Sequence, residues 1–495
     1  MMDSTADGRL TGLDNFWLQV EHSRRLMTVS STWTFKQPLD SSLVHQSLVK
    51  LCDMYPRFKM VPMHGTAFRT AVWKIAPGWR PEMNVVHHTL SEPTETALKK
   101  YIAAETVKAF QYNKPLWELH AISGLENNQC AFFWKAHHCM SDGQGFIQSL
   151  LTTTSLGEAI FSSPSAFRKK TPQDSPRDDD SKTRKYRPSF KQRLPSSYDP
   201  KTLLFIFVGW AQALLAWTWW ASKQLQLLFH ILSHDLRVFL VCLFPFQKRD
   251  LSYPALQSYE KEISWSNTIS LRDINYVRKA FGGTLNDIMI VVITRCIKHY
   301  LEELGARHDD YAKLLIPISM RAANDWRFQN IVSGTWGWFS MGELDTKTLV
   351  RQVQQEMQAI KASCMPRFLY TIICQKLLKM FPGVLPPMPI VNLYAAVPHG
   401  VFTNIPGPLE PVSFGGQEIQ SYHVLPPQSG KGTLAIGLVS YCGKVSITVL
   451  ADVNTKYPQL TEKLCQRFTK EFDFLLSEAS MELSRTPSVT SAPWN

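Results

Sequence analysis

Residues 202–222 form a run of 21 residues without a charged side chain, in the middle of a chain of 495 residues. As a helix rising about 1.5 Å per residue, this run would be about 31 Å long, enough to cross the hydrocarbon core of a bilayer. A buried core helix is the alternative. However, Trp217, Trp219 and Trp220 near one end are typical of the aromatic belt at a membrane interface. We therefore expect this segment to insert into a membrane.

A second apolar stretch, residues 225–246, follows directly and contains two histidines, an aspartate and an arginine. These four side chains make it a poor span by itself, so it either completes a hairpin or lies in the interface. Basic residues flank the unit on both sides, with six in residues 182–193 and two more at Lys248 and Arg249. Because positive flanks stay in the cytoplasm, residues 202–246 are predicted to be a hairpin or a monotopic insert.

Mixed helix and strand patterns lie on both sides of this insert. Residues 26–35 are strand-like, and residues 43–52 have helical spacing. A stretch rich in Ser, Pro and charged residues then separates the first half from the insert. The predicted organisation is an N-terminal α/β lobe (10–160), a flexible basic linker (161–201), the apolar insert (202–246), a C-terminal α/β lobe (253–480) and a disordered tail (481–495).

The second half carries clear periodic patterns. Cys442-Gly443 between two apolar runs is a hairpin signal. The predicted elements are helices at 286–304, 349–363 and 459–476, strands at 313–320, 433–441 and 444–451, and a frayed end from Ser477.

Composition and charge narrow the compartment and the partners. Nine cysteines without a C-x-x-C pair, and a polar start over residues 1–10, favour reduced thiols facing the cytosol. A net charge of +12 suits nucleic acid, an acidic cofactor such as coenzyme A or an anionic membrane surface. No nucleic-acid motif is present. The run from Ser429 to Thr433 resembles a phosphate loop, but the position that requires its first glycine is Leu425, so a P-loop is excluded.

The strongest chemical signal is the run HHCMSDG, in which His137 and His138 follow an apolar strand pattern and Asp142-Gly143 open an amphipathic helix. A histidine at a strand-to-loop edge is well placed for proton transfer, because its ordinary pKa lies near 6.5. Only one of two adjacent histidines on a strand can face a site. The run therefore predicts a general base, with Asp142 orienting the imidazole or anchoring the loop.

Simpler interpretations remain open for the same residues. Asp142 is also a good N-cap for the helix that follows it. A metal site through His138 and Asp142 lacks a further cluster of ligands nearby. Cys139 has no independent support as a nucleophile.

HHCMSDG also matches the H-H-x-x-x-D-G motif of the chloramphenicol-acetyltransferase-like superfamily. With PLWELHAISGL, an Asn-Asp pair, IPISMR, TNIPGP and SYCGKVSITVLAD in order along most of the chain, the sequence resembles the bifunctional wax ester synthase/acyl-CoA:diacylglycerol acyltransferase family. The apolar insert makes it more similar to plant-type members. The resemblance implies an α/β fold of two lobes around a central tunnel. It also implies acyl transfer from acyl-CoA to a long-chain alcohol or diacylglycerol, with acyl-CoA as co-substrate and no bound cofactor or metal.

The family motif implies roles for individual residues. His138 is implied to be the general base, and Asp142 to be mainly structural, turned toward an arginine for which Arg321 is the candidate. His137 and Gly143 would support the loop, Gly143 by allowing a close backbone approach. The remaining implied residues are Asn286 and Asp287 near the site, with a helix cap as the alternative, and Pro115, Trp117, Asn404, Pro406 and Gly407 as residues that shape it.

Two other function classes stay open. A condensation-type enzyme would take its acyl group from a carrier protein, and a membrane-anchored lipid-binding protein would have an inactive site. The expected partners are acyl-CoA, a fatty alcohol or diacylglycerol, and membrane lipid. The expected location is the endoplasmic reticulum membrane, with both lobes facing the cytosol.

Overall fold

The computed structural model describes residues 8–63, 65–157, 200–244, 251, 257–306, 308–322, 324–342, 345–385, 388–428 and 431–485. All but the last two residues of the predicted linker 161–201 lie outside these ranges. The same holds for the basic residues on both flanks of the insert and for the end of the chain after Arg485.

The described helices are α1 Gly12–Val20, α2 Ser41–Met54, α3 Glu95–Thr106, α4 Gly143–Leu151, α5 Pro200–Leu243, α6 Leu271–Phe281, α7 Leu285–Glu303, α8 Thr346–Ala362, α9 Met365–Phe368, a π-helix Leu369–Leu377, α10 Leu378–Met380, α11 Met388–Tyr394 and α12 Leu460–Arg485. The described strands are β1 Thr28–Phe35, β2 Met60–Met63, β3 Val72–Ile75, β4 Val85–Thr89, β5 Trp117–Ser123, β6 Cys130–His137, β7 Lys261–Trp265, β8 Ile269–Ser270, β9 Tyr311–Ser319, β10 Val332–Ser340, β11 Gly400–Pro406, β12 Ser413–Phe414, β13 Gln417–Leu425, β14 Leu434–Tyr441 and β15 Lys444–Asp452.

The N-terminal lobe is built on a six-stranded sheet in the order β12-β13-β1-β6-β5-β4. Its two most buried central strands are β1 and β6, which pair antiparallel from Thr28↔His137 to Phe35↔Cys130. Trp33, Trp117 and Trp134 are all fully buried on this sheet. Because these large rings remove much apolar surface from water, they form the core that holds β6 and the histidine pair at its end.

Two strands of this sheet come from the C-terminal half of the chain. β13 pairs antiparallel with β1, from Ser30↔Leu425 to Phe35↔Ile419, and β12 pairs with β13. The predicted boundary at residue 253 therefore does not separate the two sheets, because residues 413–425 cross back to the N-terminal lobe. This crossing fixes the two lobes against each other.

The C-terminal lobe is built on the sheet β10-β9-β11-β14-β15-β7, with β8 also paired to β15. The β14–β15 hairpin turns through Cys442 and Gly443, with φ of 49° and 70°, as the sequence predicts. Helix α7 has thirteen buried residues and forms the centre of this core. The predicted mixed α/β architecture of two lobes is confirmed.

Helix α12 is longer than predicted. It continues through Arg485, so the part of the predicted tail from Met481 to Arg485 is helical. The apolar face extends to the fully buried Ala479, and the last turns form two ion pairs, Arg295–Glu478 and Lys347–Glu482. These contacts with distant residues stabilise helical turns that the sequence pattern did not predict.

The apolar insert forms one helix, α5, of 44 residues. It is continuous through residues 222–225, where a hairpin would need a turn. Its C-terminal part packs on the C-terminal lobe. Val238 and Val241 belong to one buried cluster with Trp338, and the carboxylate of Asp235 accepts a hydrogen bond from Ser363 Oγ at 2.6 Å.

Among the described residues, no single helix meets the length and hydropathy expected of a membrane span. The bent pair α6 and α7, at 92° to each other, meets them only when both helices are taken together.

Candidate active site

A cavity of about 440 Å³ lies between the two lobes. Of the residues singled out from the sequence, His138, Asp142, Gly143 and Asn404 line it. Most of the remaining lining is apolar and comes from α1, α4, β9, the π-helix and β13, including Phe16, Trp17, Phe146, Ile147, Leu315, Leu369, Ile373 and Val424. Such a lining accommodates an aliphatic chain and disfavours a charged ligand.

His138 is the first residue after β6, and its backbone is fixed by the neighbouring strand. Its N–H donates to the carbonyl of Met27 at 2.6 Å. The indole of Trp17 stacks on the imidazole, with ring centroids 4.3 Å apart and planes 29° apart. The ring is thus held between a packed aromatic face and the cavity.

Asn330 determines which nitrogen of His138 carries the proton. Its Nδ2 donates to two oxygens, the carbonyl of His138 at 2.7 Å and Asp14 Oδ1 at 2.8 Å. The amide is therefore oriented with Oδ1 toward His138 Nδ1, at 2.9 Å. Since Oδ1 can only accept, Nδ1 must be the donor, and the lone pair is on Nε2. The described residues supply no hydrogen-bond partner for Nε2.

A buried carboxylate and guanidinium support this arrangement. Asp14 is fully buried in the first turn of α1, where it forms a capping box with Thr11. Arg57 Nη1 lies 3.2 Å from Asp14 Oδ2 and also donates to the carbonyl of Met140 at 2.9 Å. Burial raises the pKa of Asp14 above its ordinary value, and the nearby Arg57 opposes that shift.

His138 itself is poised to act as a neutral base. Burial lowers its pKa to about 4, because the charged imidazolium loses its hydration in this site. The negative charge of Asp142 and the hydrogen bond to Asn330 act in the opposite direction. At neutral pH the ring is therefore uncharged and can accept a proton.

Asp142 connects the loop after His138 to the C-terminal lobe. Its carboxylate accepts from Gly145 N and from Ile331 N, both at 2.7 Å, and receives Arg321 Nη2 at 3.0 and 2.9 Å. It is thus the N-cap of α4 and at the same time a partner of Arg321. Both oxygens are engaged by these donors, so the carboxylate holds the loop and the start of β10 together.

A different glycine from the predicted one allows the close approach in this loop. A Cβ on Gly143 would meet only the Cδ1 of Ile405, at 3.2 Å. A Cβ on Gly145 would overlap both Ser141 Oγ and the Arg321 guanidinium. The expectation for Gly143 is therefore corrected, because the absence of a side chain at Gly145 is what lets Arg321 reach Asp142.

The first histidine of the pair points away from the cavity. His137 is fully buried, and its Nε2 lies 3.1 Å from Glu21 while its Nδ1 accepts from Cys139 N at 3.0 Å. Cys139 is also fully buried, and burial raises the pKa of its thiol well above the ordinary value. Neither side chain lines the cavity, so His137 holds the loop and the Cys139 thiol is protonated at neutral pH.

The two residues of the Asn-Asp pair at the start of α7 have different roles. Asp287 accepts from Thr284 N at 2.7 Å and forms a capping box, which is the alternative left open by the sequence. Asn286 Oδ1 accepts from Asn404 Nδ2 at 2.6 Å. Asn404 borders the cavity, so Asn286 is one residue removed from it.

Four other predicted residues lie outside the cavity lining. Pro115 and Trp117 belong to the N-terminal core, where the carbonyl of Pro115 and the ring of Trp117 contact Asn84 and Phe58. Pro406 ends β11, and Gly407 N donates to the carbonyl of Ser440 at 3.0 Å. These residues position strands behind the site and do not contact its contents.

Sequence reasoning missed three residues that contact His138 directly or through one neighbour: Asp14, Trp17 and Asn330. The capping box of Thr11 and Asp14 was a detectable signal for the start of α1. It gave no indication of a contact with Asn330, which is 316 residues away in sequence. The aromatic residues of β10 pack elsewhere, since Trp338 packs against α5 and Trp336 lies beside Tyr394.

Solved structures share this architecture across nearly the whole chain. A wax ester synthase/diacylglycerol acyltransferase from Marinobacter aquaeolei VT8 covers 95% of this chain and 100% of its own, with a TM-score of 0.56 at 17% identity. The first condensation domain of the calcium-dependent antibiotic synthetase, in complex with a substrate analogue, covers 97% of both chains, with a TM-score of 0.55 at 12% identity. These likenesses show that the chain has the two-lobed fold shared by this wax ester synthase/diacylglycerol acyltransferase and this condensation domain.

Family comparison narrows this class. The wax ester synthase/diacylglycerol acyltransferase catalytic domain matches residues 10–198, and the C-terminal domain of the same family matches residues 329–475. The chain therefore belongs to the wax ester synthase/diacylglycerol acyltransferase family.

Curated relatives agree with this assignment. Wax ester synthase/diacylglycerol acyltransferase 7 of Arabidopsis thaliana is 23% identical over 468 residues, 84% of this chain and 87% of its own. A probable diacylglycerol O-acyltransferase of Mycobacterium tuberculosis is 24% identical over 343 residues, 67% of this chain and 68% of its own.

Proposed function

We propose that this acyltransferase moves a fatty acyl group from acyl-CoA to the hydroxyl of a long-chain alcohol, of diacylglycerol or of both, with His138 as the general base. The observation that carries the proposal is the Nδ1–H tautomer that Asn330 imposes, which leaves the Nε2 lone pair available beside an apolar cavity. A neutral imidazole in this state is the form that a base requires.

In this mechanism, His138 Nε2 takes the proton of the acceptor hydroxyl as its oxygen attacks the thioester carbonyl. The new C–O bond forms and the C–S bond breaks. The proton on Nε2 then passes to the leaving sulfur, which departs as the thiol of coenzyme A. No covalent acyl-enzyme and no metal are needed for the balance of this reaction. Proton transfer by a positioned base contributes about 10²–10⁴ in rate.

Two features support these substrates. The aliphatic lining of the cavity suits the chains of both acyl donor and acceptor. The net charge of +12 suits the phosphates of acyl-CoA. A condensation domain with the same fold, from rhizomide synthetase, has been solved in complex with C8-CoA.

Membrane association is part of the proposal, and α5 is its main support. Sixteen large apolar side chains of α5 are exposed, far more than a soluble helix leaves uncovered. They are Phe207, Val208, Trp210, Leu214, Leu215, Trp217, Trp219, Trp220, Leu225, Leu228, Phe229, Leu232, Leu236, Phe239, Leu240 and Leu243. A helix of this kind is expected to lie in the interface of a bilayer.

The contacts between the lobes favour a monotopic insert. A single crossing would leave the two lobes on opposite sides of the bilayer, yet His138 and Asn330 come from opposite sides of α5 in sequence and meet at 2.9 Å. We therefore propose that α5 lies along the membrane, that both lobes face the cytosol, and that the membrane is that of the endoplasmic reticulum.

The function is tested with labelled palmitoyl-CoA and purified protein in lipid vesicles, with hexadecanol and diacylglycerol offered in parallel and no carrier protein present. We expect label in wax ester, triacylglycerol or both, and the product ratio identifies the main acceptor. If folded protein transfers no label to either acceptor but does so from an acyl carrier protein, the condensation-type function replaces this proposal. If it transfers none from either donor, the protein is a lipid-binding member.

The pH dependence of this reaction should reflect the buried histidine. Because burial lowers the pKa of His138 to about 4, the base stays neutral through mildly acidic pH. We expect kcat/KM to stay level as pH falls from neutral and to decrease with a midpoint near 4, not near 6.5. A pH–rate profile on protein shown to be folded at each pH measures this midpoint. A midpoint at the ordinary histidine value, about 6.5, would contradict the role given to His138.

The same shift affects stability. The pKa of His138 in the folded protein lies below its unfolded value, so the unfolded chain binds a proton first as the pH falls. The stability contributed by neutral His138 is therefore complete above about pH 6.5 and is lost as the pH falls toward 4.

Asn330→Ala tests the tautomer directly. The substitution removes the acceptor at Nδ1, so Nε2–H becomes accessible and part of the population loses its base. Loss of one hydrogen bond of about 1–3 kcal/mol corresponds to a decrease in kcat of roughly 5- to 150-fold, with little change in KM. The hydrogen bond to Asn330 raises the pKa of His138, so its loss should also shift the acid limb of the pH profile to lower pH.

Gln329→Ala is the matched control, because its neighbouring amide side chain lies beside Arg327. It should keep kcat within a few-fold of wild type. Equal losses of kcat in the two variants, with an unmoved acid limb, would show that Asn330 acts only as packing.

A further inference from the structure

A second apolar surface lies on the segment between α8 and β11. This capping segment, residues 365–394, contains α9, the π-helix, α10 and α11. Its exposed side chains include Phe368 at 49%, Met380 at 57% and Val384 at 52% exposure. Phe68, at 66% exposure on the loop between β2 and β3, contacts the ring of Phe381 beside them.

The opposite side of the capping segment forms a wall of the cavity that contains His138. Leu369, Ile373, Cys374 and Leu378 line that cavity. The π-helix from Leu369 to Leu377 is unusual, because π-helical turns are rare and are frequently found at functional sites. A single helical layer thus separates the site from an exposed apolar face.

The edge of this layer meets α1, which carries the other aromatic residues of the cavity. Gly12 of α1 lies directly against the backbone of Cys374 and Lys379, an approach that a Cβ would prevent. Phe16 and Trp17 line the cavity from the same helix. The boundary between α1 and the capping segment is therefore a contact between helices, with one hydrogen bond from Gln19 Nε2 to the carbonyl of Pro382. Among the described residues, no strand ladder joins the two and would have to break for a ligand to pass.

Charge indicates what covers the exposed face. Residues 365–394 contain three basic side chains, Arg367, Lys376 and Lys379, and no acidic one. A partly apolar exposed segment whose charged side chains are all basic is complementary to an anionic lipid surface, which attracts Lys and Arg near the headgroups.

The capping segment also adjoins α5, the helix proposed to lie in the membrane. Met365 packs against the buried cluster that contains Val238 of α5 and Trp338, and Trp336 lies beside Tyr394 at the end of the segment. The two apolar surfaces are therefore attached to the same strand, β10. We therefore expect a bilayer that receives α5 to lie beside the capping segment as well.

We propose that the capping segment is a second membrane-docking surface and that the lipid acceptor enters the cavity from the bilayer, between this segment and α1. The proposal rests on the acyl-transfer function given above. It identifies the acceptor as a bilayer-dissolved alcohol or diacylglycerol that reaches His138 without passing through water.

The test compares a soluble acceptor with acceptors dissolved in a membrane. The variant Phe368→Glu/Met380→Glu places charges on the exposed face and leaves the cavity lining intact. With palmitoyl-CoA, it should transfer to hexanol in solution as wild type does. With hexadecanol or diacylglycerol in vesicles of phosphatidylcholine and phosphatidylserine, kcat/KM should fall about tenfold or more, which corresponds to about 1.4 kcal/mol.

The matched control is Phe474→Glu/Met481→Glu, which changes the same residue types at 54% and 51% exposure on α12. It should behave as wild type with both kinds of acceptor. The docking proposal is overturned if the capping-segment variant uses vesicle acceptors normally, or if it loses hexanol transfer equally. It is also overturned if light scattering shows a wild-type dimer that this variant separates. If wild type transfers to no acceptor, including hexanol, the proposed function fails instead.

Discussion

Replacing His138 by alanine should lower kcat/KM for acyl transfer by about 10²–10⁴-fold while the protein remains folded. The expectation follows from the position of Nε2, which is the unprotonated nitrogen of a ring held by Asn330 and Trp17 at the edge of the cavity. The measurement is transfer of labelled palmitate from palmitoyl-CoA to hexadecanol and diacylglycerol, together with a melting curve for each protein.

His137→Gln is the control that separates the two adjacent histidines. Glutamine can still donate to Glu21, the partner of His137 Nε2, so this variant should keep transfer within a few-fold of wild type. Full activity in His138→Ala would exclude the proposed mechanism. If only His137→Gln lost acyl transfer, His137 and not His138 would be the base.

Much of the fold follows from local sequence patterns. The predicted helix at 286–304 is observed as Leu285–Glu303, and the predicted strands around Cys442-Gly443 are observed as Leu434–Tyr441 and Lys444–Asp452. These elements have strong periodicity and defined ends, so their local interactions and their tertiary packing favour the same structure. The N-cap role of Asp142 could be predicted for the same reason.

The surroundings of His138 could not be predicted in this way. Asn330 contacts His138 across 192 residues and Asp14 across 316 residues. The pairing of β13 with β1 is a similar case, since a strand late in the chain completes the first sheet. Contacts of this kind depend on the topology of the two lobes, and a local pattern carries no information on which distant strands become neighbours.

The family motif predicted a contact between two side chains that local patterns could not predict. Arg321 was expected as the partner of Asp142 only from the resemblance, and the two side chains lie 2.9 Å apart. The same resemblance overstated the part of Pro115 and Trp117, which pack behind the site. A family motif can thus identify a strand that positions the site without identifying a residue that lines the cavity.

Asp142→Asn should be the most destabilising single substitution at the site. The side chains of Asp142 and Arg321 are 5% and 2% exposed, so the variant leaves a buried guanidinium without its charged partner. Breaking a buried ion pair by removing one partner costs about 3–5 kcal/mol. Asparagine also offers one acceptor oxygen where the carboxylate used two, for Gly145 N and Ile331 N. Urea unfolding of wild type and variant measures the difference.

The double variant Asp142→Asn/Arg321→Met distinguishes a structural Asp142 from a catalytic one. Removing both charges avoids the unpaired guanidinium, so Arg321→Met should cost less stability in the Asp142→Asn background than in wild type. Because the carboxylate acts by holding the loop of His138, recovered stability should be accompanied by recovered transfer at a temperature where all variants are folded. Recovered stability with transfer still at the level of His138→Ala would instead assign Asp142 a direct part in the chemistry. Strictly additive losses in stability would contradict the coupling of the pair.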